Sequence, residues 1–269
     1  MSDGNLPGVE APSLSYRVAR SFLAADELAR FLEFVRLTIR SQVDSSYYGV
    51  SAPLFSELTA RFGASVERIA ALLESIYGFR FALCNAMFYE NSFYSDSYIP
   101  AHVDLVNDFP SSTEFEHDRS IQVWFPLAQS EHNGMHLAPR EKNGFYAELD
   151  AAPDPYEVFA VDNRTFFRSR YSSEILFEWR QPILFDTPAL EPGDLLCFSQ
   201  KTLHFTEKIK TVGGYRVAVA LRYLDRAFEI KPFTPKFERL LAINDFQFQS
   251  GASPRPAPPS RYLGEESRG

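Results

Sequence analysis

At Gly78 the periodicity of the chain changes, and that change restricts the fold more than any other feature. Before it, apolar residues recur at helical spacing. Leu28, Phe31, Leu32, Val35 and Ile39 form one stripe. Asp26 and Glu27 fall in the first turn, where the helix dipole favours negative charge. This predicts a helix from about Ala25 to Gln42. Val66, Ile69, Ala70, Leu73 and Ile76 predict a second helix, starting at Ser65 as N-cap and stopping at Gly78. After Gly78, four segments are rich in β-formers: Phe79–Tyr89, Ser120–Leu127, Asp194–Ser199 and Tyr215–Leu224. Turn-prone stretches separate them, at Asn107–Asp118, Asn133-Gly134, Glu191–Asp194 and Gly213-Gly214. Helices first and short strands after predict a mainly β molecule, with flanking helices packed on one face of a double sheet or barrel.

The remaining bulk properties narrow the function. A chain of 269 residues buries roughly 70–75% of its unfolded surface, so it needs neither disulfides nor structural zinc to fold. No internal repeat and no interdomain linker is visible, which predicts one domain over residues 1–250. The Pro/Ser-rich stretch 251–269 reads as a tail. Lys and Arg number 27 against 35 Asp and Glu, a net charge of -8, which argues against nucleic acid as a partner. No run approaches ~18 uninterrupted apolar residues, so no membrane span is expected. Met1 to Pro12 carries no apolar segment, which predicts a cytoplasmic protein without a secretory signal. Cys84 and Cys197 both sit in apolar runs and read as buried thiols in a reducing compartment; there is no Cys-x-x-Cys pair. The 25 Phe and 13 Tyr suit a β core or an aromatic-lined pocket and do not separate the two. Phosphate loops, dinucleotide-binding glycines and the Gly-x-Ser-x-Gly elbow are absent, so a nucleotide-binding fold and a serine hydrolase lack support.

Chemistry is concentrated in three segments. In Pro100-Ala-His102-Val-Asp104, a histidine and a carboxylate two apart on a strand face the same way and can occupy adjacent positions on one metal ion. His204 follows the apolar strand opened by Gly193-Asp194. A third ligand from a distant strand, joined to the His-x-Asp pair, would close a facial triad that leaves three positions on ferrous iron open. Twelve residues on, Arg216-Val-Ala-Val-Ala-Leu-Arg222-Tyr alternates strictly. Val217, Val219, Leu221 and Tyr223 share one face, and Arg216, Ala218 and Ala220 the other. An arginine beside two alanines has room in front of it. It either points outward on an edge strand, with Arg222 continuing a polar face, or sits at the base of a cavity and pairs with a small dicarboxylate.

Taken in order, these segments resemble the phytanoyl-CoA dioxygenase-like branch of the iron(II)/2-oxoglutarate oxygenases. Ser15–Leu23 with Asp26–Leu28 is similar to that family's leading strand and first helix. Val123-Trp-Phe-Pro-Leu127 followed by Asn133-Gly-Met-His-Leu-Ala-Pro139 is similar to its strand, turn and strand. The resemblance implies a double-stranded β-helix (jelly-roll, cupin-like) core with the N-terminal helices packed on one sheet. It implies Fe(II), 2-oxoglutarate and O2 as cofactor and cosubstrates. His102, Asp104 and His204 would then bind the metal, Arg216 and Thr206 the far carboxylate of 2-oxoglutarate, and Asn85 would add a polar contact. Trp124 and Gln122 are the candidate substrate contacts. An intact carboxylate at Asp104, where a halogenating relative would carry Gly or Ala, points to hydroxylation or another oxidation. The expected substrate is a small metabolite, with natural-product biosynthesis the expected setting.

The chain departs from the family's pattern at Pro139-Arg-Glu-Lys142, which replaces the usual Pro-Gly-Ser-His, so His136 reads as a strand residue and not a ligand. His117 and His132 read as surface residues. Asn107–Asp118 is either a lid or a solvated loop. Two other functions stay open at this point: a metal cupin-type enzyme that uses no 2-oxoglutarate, and a metal-free jelly-roll binding protein. Arg216 favours the oxygenase over the first, and the His-x-Asp pair with His204 disfavours the second.

Overall fold

The computed structural model describes residues 8–40, 47–49, 52–92, 101–103, 119–130, 135–150, 156–161, 164–169 and 174–229. In chain order the strands are β1 (Val9–Glu10), β2 (Tyr16–Ala19), β3 (Tyr47–Gly49), β4 (Phe81–Ser92), β5 (Ser120–Gln129), β6 (Met135–Leu137), β7 (Tyr156–Val161), β8 (Arg164–Ser169), β9 (Ile175–Trp179), β10 (Leu195–Ser199), β11 (His204–Thr206) and β12 (Tyr215–Asp225). The helices are α1 (Ala25–Arg40), α2 (Ala52–Tyr77), α3 (Tyr146–Asp150) and α4 (Arg226–Glu229).

Seven strands form the main antiparallel sheet, in the order β1-β2-β10-β5-β12-β4-β3. A second sheet faces it. Its centre is β6 paired with β11, widened by bridges from His102 to His204 and from Leu137 to Asp186. The β7-β8-β9 meander continues it through the Val158 N–H, which donates to the Ala101 carbonyl. The architecture is a double-stranded β-helix.

The alternation in β12 sorts the core into layers. Val217, Val219, Leu221 and Tyr223 point outward onto the helices, in one cluster with Phe31, Phe34 and Val35 of α1 and Leu58, Phe62, Ile69 and Leu73 of α2. Phe31 stacks on Phe62 at 3.9 Å between ring centroids. Burying such a ring stabilises the fold by about 1.5–3 kcal/mol. Ala218 and Ala220 point inward, between the sheets, with Met87, Trp124, Leu196 and Phe198. The helices therefore cover one face of the main sheet and leave the other to the interior.

Three expectations need correction. The second helix does not start at Ser65: α2 begins at Ala52 and bends at Phe62, whose φ of -120° and ψ of 18° are not helical. Gly63, next in the chain, offers little helical preference of its own. Ser65 is no N-cap; its hydroxyl donates to Glu27 Oε1 at 2.7 Å, tying the two helices together. Cys197 is buried, but Cys84 is exposed. A register shift of β4 against β12 at Arg222/Tyr223 makes Cys84 the extra residue, turned out of the alternation. Finally, the β7-β8-β9 meander has no counterpart in the strand segments read from the sequence. The positions of His117, His132, the Asn107–Asp118 segment and the tail lie outside the described residues.

Two turns fix the entry to β10 and the N-terminal strap. Gly193 has φ +102°, and a Cβ there would lie 3.0 Å from the Leu23 carbonyl oxygen. Asp194 beside it accepts from the Ser21 N–H and from Arg20, fastening the start of β10 to the end of β2. The divergent Pro139–Lys142 segment is a 3-10 turn. Glu141 in it accepts from Ser15 Oγ at 2.7 Å and from the Leu14 N–H at 2.9 Å. That segment anchors the N-terminal strap.

Candidate active site

The interior faces of the two sheets form a cavity between them. The main sheet contributes Tyr89 and Asn91 from β4, Gln122 and Trp124 from β5 and Arg216 from β12. The second sheet contributes His102, Met135 and the β11 residues His204, Phe205 and Thr206.

His102 and His204 come together because their backbones form a mutual antiparallel pair. The His102 N–H donates to the His204 carbonyl at 3.0 Å, and the His204 N–H to the His102 carbonyl at 2.8 Å. Residues paired in this way project their side chains to the same face. The two imidazole centroids are 4.5 Å apart. His204 is 3% exposed, and its Nδ1 lies 2.8 Å from the Thr202 carbonyl oxygen. A carbonyl only accepts, so Nδ1 carries a proton, and in the neutral ring the lone pair is on Nε2. That is the arrangement by which a backbone carbonyl orients a metal-binding imidazole. Phe198 meets the His204 ring edge-on at 5.0 Å. Asp104 lies outside the described residues, and among the described residues no cluster of three His, Cys, Asp or Glu side chains occurs. The paired rings and the fixed tautomer fit a metal ion bound between two histidines.

Arg216 lies on the opposite wall. It is 2% exposed, and its Nη2 donates to Asn91 Oδ1 at 3.2 Å. Burial pushes its pKa down to about 10, and the nearby Tyr89 acts in the opposite direction. At neutral pH the guanidinium therefore stays charged. No Asp or Glu lines the cavity among the described residues. The chemistry of this wall is that of an anion site: a buried cation with a carboxamide and, from β11, the Thr206 hydroxyl nearby.

The structure brings His102, His204, Arg216, Thr206, Gln122 and Trp124 to one cavity. Asn85 is not among its lining residues. It is the cross-strand partner of Arg222, six positions along β4 from the Asn91 that bonds Arg216. Asn91 was legible only by extending the alternation Met87, Tyr89, Asn91 past Tyr89, where the β-forming run ends. His136 faces away from the cavity: Thr187 Oγ1 lies 2.7 Å from its Nδ1 and Glu207 3.2 Å from its Nε2. Burial lowers the His136 pKa, and Glu207 opposes that effect.

No family model matches the chain, and no curated protein does. Solved structures do. The non-heme alpha ketoglutarate dependent epimerase SnoN from nogalamycin biosynthesis is 21% identical, with a TM-score of 0.53 over 78% of each chain. SnoN has also been crystallised with Fe3+, alpha ketoglutarate and nogalamycin RO. EctD from S. alaskensis is 14% identical, with a TM-score of 0.54 over 79% of this chain and 74% of that one. A second EctD crystal contains 2-oxoglutarate and 5-hydroxyectoine. At these identities the likeness speaks to architecture, and it agrees with the sheet order and the facing layers: the chain has the double-stranded β-helix fold that these enzymes share.

Proposed function

We propose that the protein is a non-heme iron(II)/2-oxoglutarate-dependent oxygenase acting on a small metabolite, in the setting of natural-product biosynthesis. One observation carries the reading: a backbone-paired histidine couple and a buried arginine face each other across a single cavity. His102 and His204, with Asp104 two residues past the first, would hold iron(II). Arg216 would take the far carboxylate of 2-oxoglutarate, with Asn91 and Thr206 beside it. The likeness to SnoN and EctD supports the same cofactor and cosubstrate. Bound iron and 2-oxoglutarate supply the oxidising power for an unactivated C–H bond, with O2 as the co-reactant.

The chain's own residues do the positioning. The Thr202 carbonyl keeps the His204 lone pair on Nε2. Ala218 and Ala220 follow Arg216 on the inner face of β12 and pack under Met87 and Trp124. Trp124, at 2% exposure, and Met135, at 3%, give the cavity water-excluding walls. Hydroxylation is the outcome we assign, the simplest one for a site with a carboxylate at Asp104. SnoN, an epimerase of the same fold, marks where substrate positioning would divert it.

The test is anaerobic titration with iron(II) and then 2-oxoglutarate, following the visible charge-transfer absorption of their chelate. Wild type gains the band, and the Arg216→Ala and His204→Ala proteins do not. Iron uptake without a band would point to a cupin-type enzyme independent of 2-oxoglutarate, and no iron uptake to a binding module. His102→Ala and Asp104→Ala are expected to lose iron and activity with the fold intact. Full iron loading by either variant would overturn the ligand set.

A further inference from the structure

Gln122 lines the cavity, and its side chain is only half used. A carboxamide has an oxygen that accepts and an NH2 group that donates. The Arg222 Nε donates to Gln122 Oε1 at 3.2 Å. A guanidinium has no acceptor, so this contact decides how the carboxamide is turned: the oxygen toward Arg222 on β12, the NH2 group away from it. No other hydrogen bond engages the carboxamide among the described residues. Gln122 is 1% exposed, yet its Nε2 is not among the polar atoms sealed in the interior without a partner. The small accessible part of the residue therefore lies at the NH2 group, on the cavity side.

The cross-strand register places this donor. Gln122 pairs with Phe198 on β10, and Phe198 meets the His204 ring edge-on at 5.0 Å. Arg216 pairs with Gln129, at the other end of β5. The NH2 group thus opens beside the histidines, in a different row from Arg216. Trp124, next on the same face of β5, and Met135 from the second sheet supply apolar wall. Among the described lining residues there is no Asp or Glu to receive a hydrogen bond or a positive charge from a ligand. A buried donor that faces an apolar or cationic group stays unsatisfied at a cost in free energy, whereas a carbonyl oxygen satisfies it.

We propose that the Gln122 NH2 group donates to a carbonyl oxygen of the substrate, and that Arg222 is the positioning residue that keeps the carboxamide turned this way. The substrate is then an uncharged carbonyl compound whose hydrocarbon part lies along Trp124 and Met135. This rests on the iron and 2-oxoglutarate reading above. An ammonium group at the same place would meet a donor in a cavity that already holds the Arg216 cation.

The experiment uses full-length protein, anaerobic, loaded with metal and saturated with 2-oxoglutarate. Cyclopentanone and acetophenone are the probes. Each is compared with its hydrocarbon analogue, methylenecyclopentane or α-methylstyrene, and with its ammonium analogue, cyclopentylammonium or α-methylbenzylammonium. Ligand-observed NMR gives the affinities, and relaxation by iron(II) relative to zinc(II)-loaded protein reports binding beside the metal. Wild type is expected to hold at least one ketone there and to bind its ammonium analogue least. In Gln122→Met the ketone-to-hydrocarbon affinity ratio falls about 3–10-fold. Arg222→Met frees the carboxamide to turn and lowers the ratio as well, whereas Arg222→Lys, which also only donates, retains it. In Gln122→Glu the carboxylate oxygen not taken by Arg222 accepts, and the preference passes from the ketone to the ammonium compound. Thermal melts show that each variant is folded. A ratio unchanged in Gln122→Met, an ammonium compound bound by wild type as tightly as its ketone, or no ketone bound beside the iron overturns the proposal. A ratio unmoved by Arg222→Met overturns the positioning role of Arg222. Failure of wild type to take up iron(II) or 2-oxoglutarate is a different result, and it refutes the parent reading.

Discussion

Replacing Arg216 with methionine separates a binding residue from a structural brace, because the two roles predict opposite signs. Arg216 is 2% exposed, and burial pushes its pKa down to about 10. The fall from its ordinary value corresponds to about 3 kcal/mol held against the charged form. Methionine keeps an unbranched chain of similar reach and buries no charge. The exchange relieves that penalty and sacrifices the 3.2 Å bond to Asn91, with some loss of satisfaction for the buried carboxamide, together about 2 kcal/mol. The net is a ligand-free protein about 1 kcal/mol more stable, or about 2–4 °C higher in Tm for a domain of this size. Exchanging a buried charge for a well-packed apolar side chain has this sign in other proteins. Affinity for 2-oxoglutarate moves the other way. Loss of a charge-assisted carboxylate contact worth about 1.5–3 kcal/mol weakens binding by roughly 10–150-fold. Differential scanning calorimetry gives the first number and anaerobic isothermal titration the second. A lower Tm with unchanged 2-oxoglutarate affinity would show that Arg216 braces β12 against β4, and the anion-site argument would fail.

Further substitutions test the cavity, the core and the turns. Thr206→Val removes the β11 hydroxyl that lines the cavity and is expected to weaken 2-oxoglutarate binding in a protein that still folds; unchanged binding in anaerobic titration would remove Thr206 from the anion site. Phe31→Ala removes a fully buried ring stacked on Phe62, and chemical denaturation should record a loss of about 3–5 kcal/mol. Gly193→Ala forces a side chain into a φ of +102° and against the Leu23 carbonyl, and should cost about 1–3 kcal/mol by the same measurement. Burial works to raise the pKa values of Glu27 and Asp194, but hydrogen bonds from Ala24, Ser65 and Arg68 to the first, and from Ser21, Glu191 and Arg20 to the second, leave both lowered. A carboxylate held below its unfolded pKa lends stability that is fully present above that unfolded value and is lost as the pH falls through the folded one. The Tm should therefore drop as the pH descends below the ordinary carboxylate range, and Glu27→Gln should flatten part of that drop. A Tm profile unchanged by the substitution would refute the contribution of Glu27.

What could be read from the sequence divides along physical lines. β12 was legible because alternation is a property of the strand itself: valine, leucine and tyrosine on one side, arginine and alanine on the other, and the structure keeps that division residue by residue. α1 was legible for the same reason at helical period. The start of α2 was not, because the helix continues across a bend at Phe62, where the ring stacks on Phe31, and Ser65 just past the bend looks like a cap while it bonds Glu27. Cys84 was misread because a register shift is a relation between two strands, which neither sequence displays alone. The same limit governs the cavity. Asn91 bonds Arg216 and lines it, whereas Asn85, six residues away on the same strand, pairs with Arg222 and does not. Sequence spacing along β4 offers no basis for choosing between them, whereas register does. The exchange Asn91→Ala should thus weaken 2-oxoglutarate binding in anaerobic isothermal titration, and Asn85→Ala should leave it unchanged; the same loss from both variants would show that register does not separate the two asparagines.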